Sequence, residues 1–397
     1  MNTRPRALHP WVFMILIIPF GVASGYASVT LSFQLKHVGV SVERIAALVA
    51  LSVLPHTFKF LWAPIVDVTL NQRKWYCLSL FPTALGVASM GLIPPTAAGL
   101  AALSVAVFLA SFASTFLGMA VDSLMAHSTP EEMKGRAGGW FQAGALGGVG
   151  VGGGLGLLLA EKLPAPWMAS CAVGFLCLLC GLGLWGMPVP ERAFGSTGLI
   201  GSLRAALWDI WQVVRERRGL GALVLCFIPL GTGAAPFSAI ADEWKASAET
   251  VALVTGTLGG VVSAVGCLIG GWLCDRMHRQ NAYAWFGILQ AASAVAVAVC
   301  PRSERMYILW ALVYALTSGL SYAAFTAFVL EAIGKGAAAS KYNALASLAN
   351  FPIYYMTQID GWAHDRWSSS GMFFTEAALG VLAAIGFALL SRHWLRG

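Results

Sequence analysis

Charge is what this sequence lacks. Only 11% of its 397 residues are Asp, Glu, Lys or Arg, against 58% hydrophobic, and the mean hydropathy is +0.72. A water-soluble domain carries about 25% charged residues, so a soluble globular fold is excluded. The short alternating segments of a transmembrane β-barrel are missing too. The apolar stretches run unbroken for roughly 20 residues, the length of a helix that crosses a bilayer, and in hydrocarbon only helices or closed barrels satisfy their own backbone. No phosphate-cradling glycine loop is present, so no ATP-driven activity is expected. The eight cysteines fall within apolar spans or at their ends. Cys177 and Cys180 form a C-x-x-C, but with no second pair or nearby His they read as packing residues. No span-end group of His, Cys, Asp or Glu has metal or nucleophile spacing. No catalytic residue, metal or organic cofactor is therefore expected.

The charge that is present has one dominant sign, formally +7. Its placement argues against nucleic acid as a partner. With the N-terminus in the cytoplasm, 17 of the 25 Lys and Arg fall in inside loops and tails and 7 in outside loops, with Lys59 in a span. That division is the positive-inside rule with both termini cytoplasmic. The first apolar stretch, Trp11 to Phe33, is too long for a signal-peptide core and lacks a small-residue cleavage site, so it reads as the first span. Twelve spans are predicted, near 11–34, 44–66, 75–93, 99–124, 137–159, 167–187, 219–239, 251–273, 282–300, 306–330, 342–362 and 371–390. They group as a six-helix bundle over 1–187, a linker over 188–218 and a second six-helix bundle over 219–397. Within the linker Leu203, Leu207, Ile210 and Val214 recur at helical spacing beside Arg204, Arg215 and Arg217. This amphipathic helix either lies on the lipid surface or simply tethers the halves.

The halves repeat at a constant offset of about half the chain. Ala63-Pro-Ile-Val-Asp67 with Arg73 and Lys74 closes span two; Gly271-Trp-Leu-Cys-Asp275-Arg276 with Arg279 closes span eight. Asp122 ends span four and Glu331 ends span ten. Gly135-Arg136 opens span five and Ser340-Lys341 opens span eleven. Parallel repeats of this kind mark transporters whose two bundles rock about a shared midplane site.

The Gly-x-x-x-Asp-Arg-x-x-Arg pattern of Gly271, Asp275, Arg276 and Arg279 resembles the loop motif of the major facilitator superfamily, with a degraded copy in the first half. Leu54-Pro-His-Thr-Phe-Lys-Phe-Leu-Trp-Ala-Pro-Ile-Val-Asp67 is similar to the second-helix signature of the group holding the AmpG muropeptide permeases, acetyl-CoA transporters and certain siderophore permeases. The resemblance implies an all-α membrane protein with two pseudo-symmetric six-helix bundles. It also implies a monomeric secondary transporter of a bacterial inner membrane, in contact only with lipid and a small-molecule solute. Asp67 would sit on the positive N-terminal end of span eleven and Asp275 on that of span five. Arg73 or Lys74 would pair with Asp122, and Arg276 or Arg279 with Glu331, latching the cytoplasmic ends. Asp122 and Glu331 are alternatively proton carriers.

Lys59 lies eight residues before Asp67, about 12 Å inward along a helix, where charge is costly. It reads either as a cationic spot for an anionic solute or as a lysine snorkelling to the interface. His56 sits one turn earlier, just after Pro55, which can open the backbone locally. Polar stripes mark the faces that see water or a neighbouring helix: Tyr26, Thr30 and Gln34 on span one; Tyr314, Ser318 and Tyr322 on span ten; Asn343, Ser347, Asn350, Tyr354 and Gln358 on span eleven. Their aromatic and amide members, with Gln142 and Gln290, are the candidate solute contacts; single Ser and Thr more often join helices. Asp360 is expected at a solvated outer mouth, with proton coupling as the other reading. Span five carries eight glycines from Gly144 to Gly156, which suits a close, sliding helix contact. The expected function is proton-coupled import of a bulky polar or anionic solute, a siderophore chelate or cell-wall muropeptide. The alternative is a drug or metabolite exporter.

Overall fold

A computed structural model describes residues 9, 11–128, 134–185, 187, 200–201, 204, 208, 211, 215, 217–274, 276–333, 347–348 and 350–395. Among these no strand occurs, and ten stretches are long and apolar enough to cross a membrane. The tenth, Asn350–Ser391, is two spans folded at Trp367 and Ser368, where Ser368 takes φ +60. With the broken seventh segment described below, the count reaches the expected twelve.

The spans are α1 (Trp11–His37), α2 (Val42–Leu61), α3 (Gln72–Leu92), α4 (Leu100–Ser128), α5 (134–162) and α6 (Pro166–Leu184). The second half holds α7 (Arg217–Leu225), α8 (Ala248–Cys274), α9 (Arg279–Val299), α10 (Glu304–Ile333), α11 (350–366) and α12 (369–395). Local chemistry sets several starts. Ser41 and Asn71 accept the Arg44 and Lys74 N–H groups at the heads of α2 and α3. Pro166 occupies the first turn of α6, where its missing N–H costs nothing. The linker read at 188–218 lies largely outside the described residues; Ile200, Trp208 and Trp211 within it are exposed.

Glycine decides how α5 packs. A Cβ on Gly144, Gly148 or Gly152 would fall within 2.3 Å of a carbonyl of α1 (Met14, Ile18 or Val22), while one on Gly154 would meet Ala252 and Thr257 of α8. The bare backbone thus wedges between one helix of its own half and one of the other. Thr30 of α1 donates to the Gly152 and Gly153 carbonyls at 3.1 Å, where α5 widens into a π-turn over Val151–Leu155. The halves meet through α5 on α8 and α2 on α11. Because the sequence repeat maps α2 onto α8 and α5 onto α11, these two contacts are copies of each other about a pseudo-twofold axis.

The seventh span corrects the sequence reading. A continuous helix over 219–239 was expected, but α7 stops at Leu225 and 226–236 is non-helical. Pro229 and Pro236 lack the N–H a helix needs, and Gly231 (φ +65) and Gly233 (φ +54) occupy backbone that only glycine adopts without strain. Unwound backbone inside a membrane must find other partners. Three tyrosine hydroxyls supply them: Tyr355 donates to Phe227 O at 2.8 Å, Tyr283 to Leu230 O at 2.9 Å and Tyr307 to Phe237 O at 3.1 Å.

Candidate functional site

Between the halves lie two adjoining lobes of about 310 and 330 Å³. They share Leu146, Val149, Ser263, Ser318 and Ile353, so they form one central space. Its size is that of a small-molecule site. The first lobe is walled by Gln142, Tyr322 and Asn350, the second by Thr357 and the ring of Tyr314. Gln142 of α5 meets the hydroxyl of Tyr322 on α10, so a polar contact crosses between halves at the cavity wall. Asn350, which lines the first lobe, donates to Ser347 O at 3.0 Å.

Four of the expected solute contacts therefore line the cavity: Gln142, Tyr314, Tyr322 and Asn350. The others do not. Tyr26 is fully buried under Gly156, between α1 and α5. Gln34 and Gln358 are outside both lobes, and the ring of Tyr354 packs on Phe351. Period-four spacing identified polar faces, but a face turned to a neighbouring helix reads the same as one turned to water. His56 is buried edge-on to Phe20, with ring centroids 4.7 Å apart, and lines neither lobe. Lys59 sits where α2 gives way to a 3₁₀ turn (Lys59–Leu61) ahead of Pro64. The helix breaks there rather than at Pro55, and Pro64 fits the start of the next helical turn because it has no N–H to return to the Phe60 carbonyl. Lys59 is likewise off the cavity, and its charge acts on both Asp122 and His56.

The cytoplasmic latch partners differ from expectation. Arg73 donates to Leu184 O at 2.6 Å and Lys74 is exposed, so neither pairs with Asp122; Lys59 acts on it through its charge, without a direct ion pair. Arg276 stacks 3.7 Å over its own-helix neighbour Trp272. Arg279 heads α9. The side chains of Asp67, Asp275 and Glu331 lie outside the described residues.

The far end, opposite the termini, is closed by a network that sequence reading missed. Asp365 of α11 accepts the Val42 and Glu43 N–H groups at 3.1 and 3.2 Å, capping α2 of the other half. His364 bonds Asp365 at 3.2 Å and Glu243 at 2.6 Å, and Ser369 donates to Glu243. Burial alone would raise the Glu243 carboxyl. The hydrogen bonds from His364 and Ser369, and the charges of His364 and Arg302, outweigh it and hold Glu243 below the usual carboxylate range. Arg302 itself lies 3.8 Å over the buried Trp244 ring.

Asp360 overturns its expected place at a solvated mouth. It is 0% exposed, and neither carboxylate oxygen has a partner. Helical rise gives depth along α11 but not facing, and this face turns into the second half. Beside it stands Glu376 of α12, also buried, whose Oε2 accepts from Tyr314 at 2.5 Å. Glu376 drew no attention in the sequence, although a lone acid in Phe373-Phe-Thr-Glu-Ala377 is itself the signal.

Two pseudo-symmetric bundles around a solute-sized cavity, closed at one end and built on a broken helix, define a membrane transporter rather than an enzyme. The comparisons agree. Residues 12–354 match the Major Facilitator Superfamily, and the chain belongs to it. Among curated proteins it is 27% identical over 349 residues to the anhydromuropeptide permease of Escherichia coli (strain K12), covering 82% of this chain and 68% of that one. Its fold is shared with a bacterial homolog of the human lysosomal transporter Spinster (TM-score 0.75, 16% identity, 100% and 99% of the two chains). The nucleoside transporter NupG (D323A mutant) superposes at 0.74 with 12% identity over 96% and 98%. A D-xylose-proton symporter gives 0.72 with 15% identity over 95% and 96%.

Proposed function

We propose that this chain imports a bulky polar solute of the cell-wall sugar-peptide class across a bacterial inner membrane, by alternating access and driven by a proton gradient. The observation that carries the reading is the inter-half cavity walled by Gln142, Tyr314, Tyr322 and Asn350. Amides and tyrosine faces suit a solute that is both ring-bearing and rich in hydroxyls and peptide groups. The similarity to an anhydromuropeptide permease supports that class over a siderophore chelate. In this reading both termini are cytoplasmic, the Asp365–His364–Glu243 closure is periplasmic, and the protein works as a monomer. The glycines of α5 seat it against α1 and α8 and favour neither import nor export. Uptake of labelled anhydromuropeptide into right-side-out vesicles, with and without an imposed pH gradient, is the direct test. Gradient-dependent accumulation above vesicles lacking the protein is expected; equal uptake in both overturns the reading.

A further inference from the structure

Asp360 and Glu376 meet because of the hairpin that carries them. Asp360 lies seven residues before the Trp367 kink and Glu376 eight after Ser368, so both stand about 11–12 Å from the turn on adjacent antiparallel helices. That depth is well inside a hydrocarbon core about 30 Å thick. Both Asp360 oxygens and Oε1 of Glu376 are buried without a hydrogen-bond partner. The groups facing the pair are few. Tyr314 of α10 reaches Glu376, the Ala234 N–H freed by the α7 break acts on the same carboxyl, and α9 presents Gln290. On α2, which packs along α11, the nearest titratable group is Glu43 beside Gly361; His364 is one turn further along α11 itself. Among the described residues no Lys or Arg acts on either carboxyl.

Gln290 supplies an independent sign of a site. Its Oε1 accepts from Thr317, while its buried Nε2 makes no well-formed hydrogen bond although the Gln290 amide acts on the Tyr314 hydroxyl. Gln290 and Glu376 line one small cavity of about 10 Å³, the size of a single water. That space admits no solute. Two of its other walls, Gly231 and Thr232, also line the first lobe, so the unwound backbone of the seventh segment borders both. Tyr314 makes the second link: its ring lines the other lobe while its hydroxyl bonds Glu376.

Two adjacent carboxylates without a counter-ion in low dielectric do not both ionise. We propose that Asp360 and Glu376 hold one proton between them and form the proton-coupling site of this transporter, joined to the solute cavity through Tyr314 and the Gly231–Gly233 break. The coupling role rests on the proton-driven reading above. The unpaired Asp360 takes the proton, and Glu376, with two donors, stays the anion. Release sends the proton to water on the low-proton side and leaves a dianionic pair that must be re-solvated. This favours the conformation in which the break lets water in.

The test needs no solute. Infrared spectra of the purified protein in lipid at neutral pH should show a protonated carboxyl C=O band that shifts in D₂O. Asp360→Asn should remove it, and Tyr314→Phe, which leaves both acids in place, should shift it. Absence of such a band overturns the proposal. So does a rise in thermal stability with Na⁺ in place of the band, since a metal cation would then hold the pair. Maleimide labelling of the cavity residue Cys267 reports the conformational balance. Taken relative to the unfolded chain at the same pH, so that the thiol's own ionisation cancels, it should respond to pH in the native protein and lose that response in Asp360→Asn and Glu376→Gln; an unchanged response overturns coupling. If native protein moves no anhydromuropeptide while band and pH response are present, the solute class fails and the coupling site stands.

Discussion

Replacing Asp365 by Ala should unlatch the far end of the cavity. The Asp365 carboxylate spans the two halves by capping α2 through the Val42 and Glu43 N–H groups. Charged hydrogen bonds are worth about 1.5–3 kcal/mol each when shielded, whereas removing a helix N-cap costs about 0.5–2 kcal/mol. Asp365 is partly solvated and Ser41 retains part of the cap on α2, so a loss of about 1–2 kcal/mol is the consistent figure. The halves must separate here for the cavity to open outward, so that loss appears in the opening equilibrium, raising the open fraction about 5–30-fold. The assay is labelling of Cys267 by a membrane-impermeant maleimide added from the face opposite the termini, read by peptide mass spectrometry. Arg366→Ala, which breaks only a half-exposed 3.6 Å pair with Glu43, is the control and should change the rate by less than about fivefold. Equal rates for Asp365→Ala and the native protein would refute the assignment of this network as a gate. The pH sign is also fixed. Glu243 is held below its unfolded value, so its contribution to closure is complete above the usual carboxylate range and is lost as pH falls through the depressed value. In the Asp360→Asn background, outside labelling, expressed relative to the unfolded chain at the same pH so that the thiol's own ionisation cancels, should therefore stay flat near neutrality and rise only in acid. Glu243→Gln should shrink that acid-triggered rise and leave the part that protonation of the Asp365 carboxylate supplies.

Gly152→Ala should lower the detergent melting temperature by several degrees, because its Cβ would stand 2.1 Å from Val22 O and overpacking costs about 1–3 kcal/mol. Gly147→Ala, with nothing within 4 Å, should melt like the native protein. Gln142→Ala should raise the KM for the transported solute about 2–10-fold, the value of one hydrogen bond, and Tyr322→Phe should do the same; unchanged KM in both would place the solute elsewhere. Lys59→Ala should leave KM within about twofold, since Lys59 is off the cavity, but should reduce the yield of folded protein by removing a positive charge that acts on the Asp122 carboxylate. A rise in KM of about tenfold, or 1.4 kcal/mol, would restore Lys59 as an anion site.

What could be read from the sequence follows from which signals are one-dimensional. Span existence is one of them, because bilayer thickness fixes length and hydrocarbon fixes composition, and eleven of twelve spans were legible on that basis. The seventh was not. Hydropathy averages over Phe227, Ile228 and Leu230 and passes over the Pro and Gly residues that deny them a helix. Both depth and facing of Asp360 escape the sequence: a span ended at 362 puts it at the mouth, but the helix runs on to the fold at Trp367 and Ser368, which carries Asp360 into the membrane and buries it. Facing depends on the neighbours, and the same four-residue stripe served Tyr322 at the cavity and Tyr26 in the core. The second carboxylate could have been inferred. An acid that the membrane tolerates at full burial must share a proton or meet a counter-ion. Among the described residues no Lys or Arg acts on Asp360, and Arg302 is held over Trp244 at the far end. With no cation free to meet Asp360, a nearby acid such as Glu376 and a shared proton are the arrangement left. The functional centre is therefore set less by the charges the chain displays than by the ones it withholds.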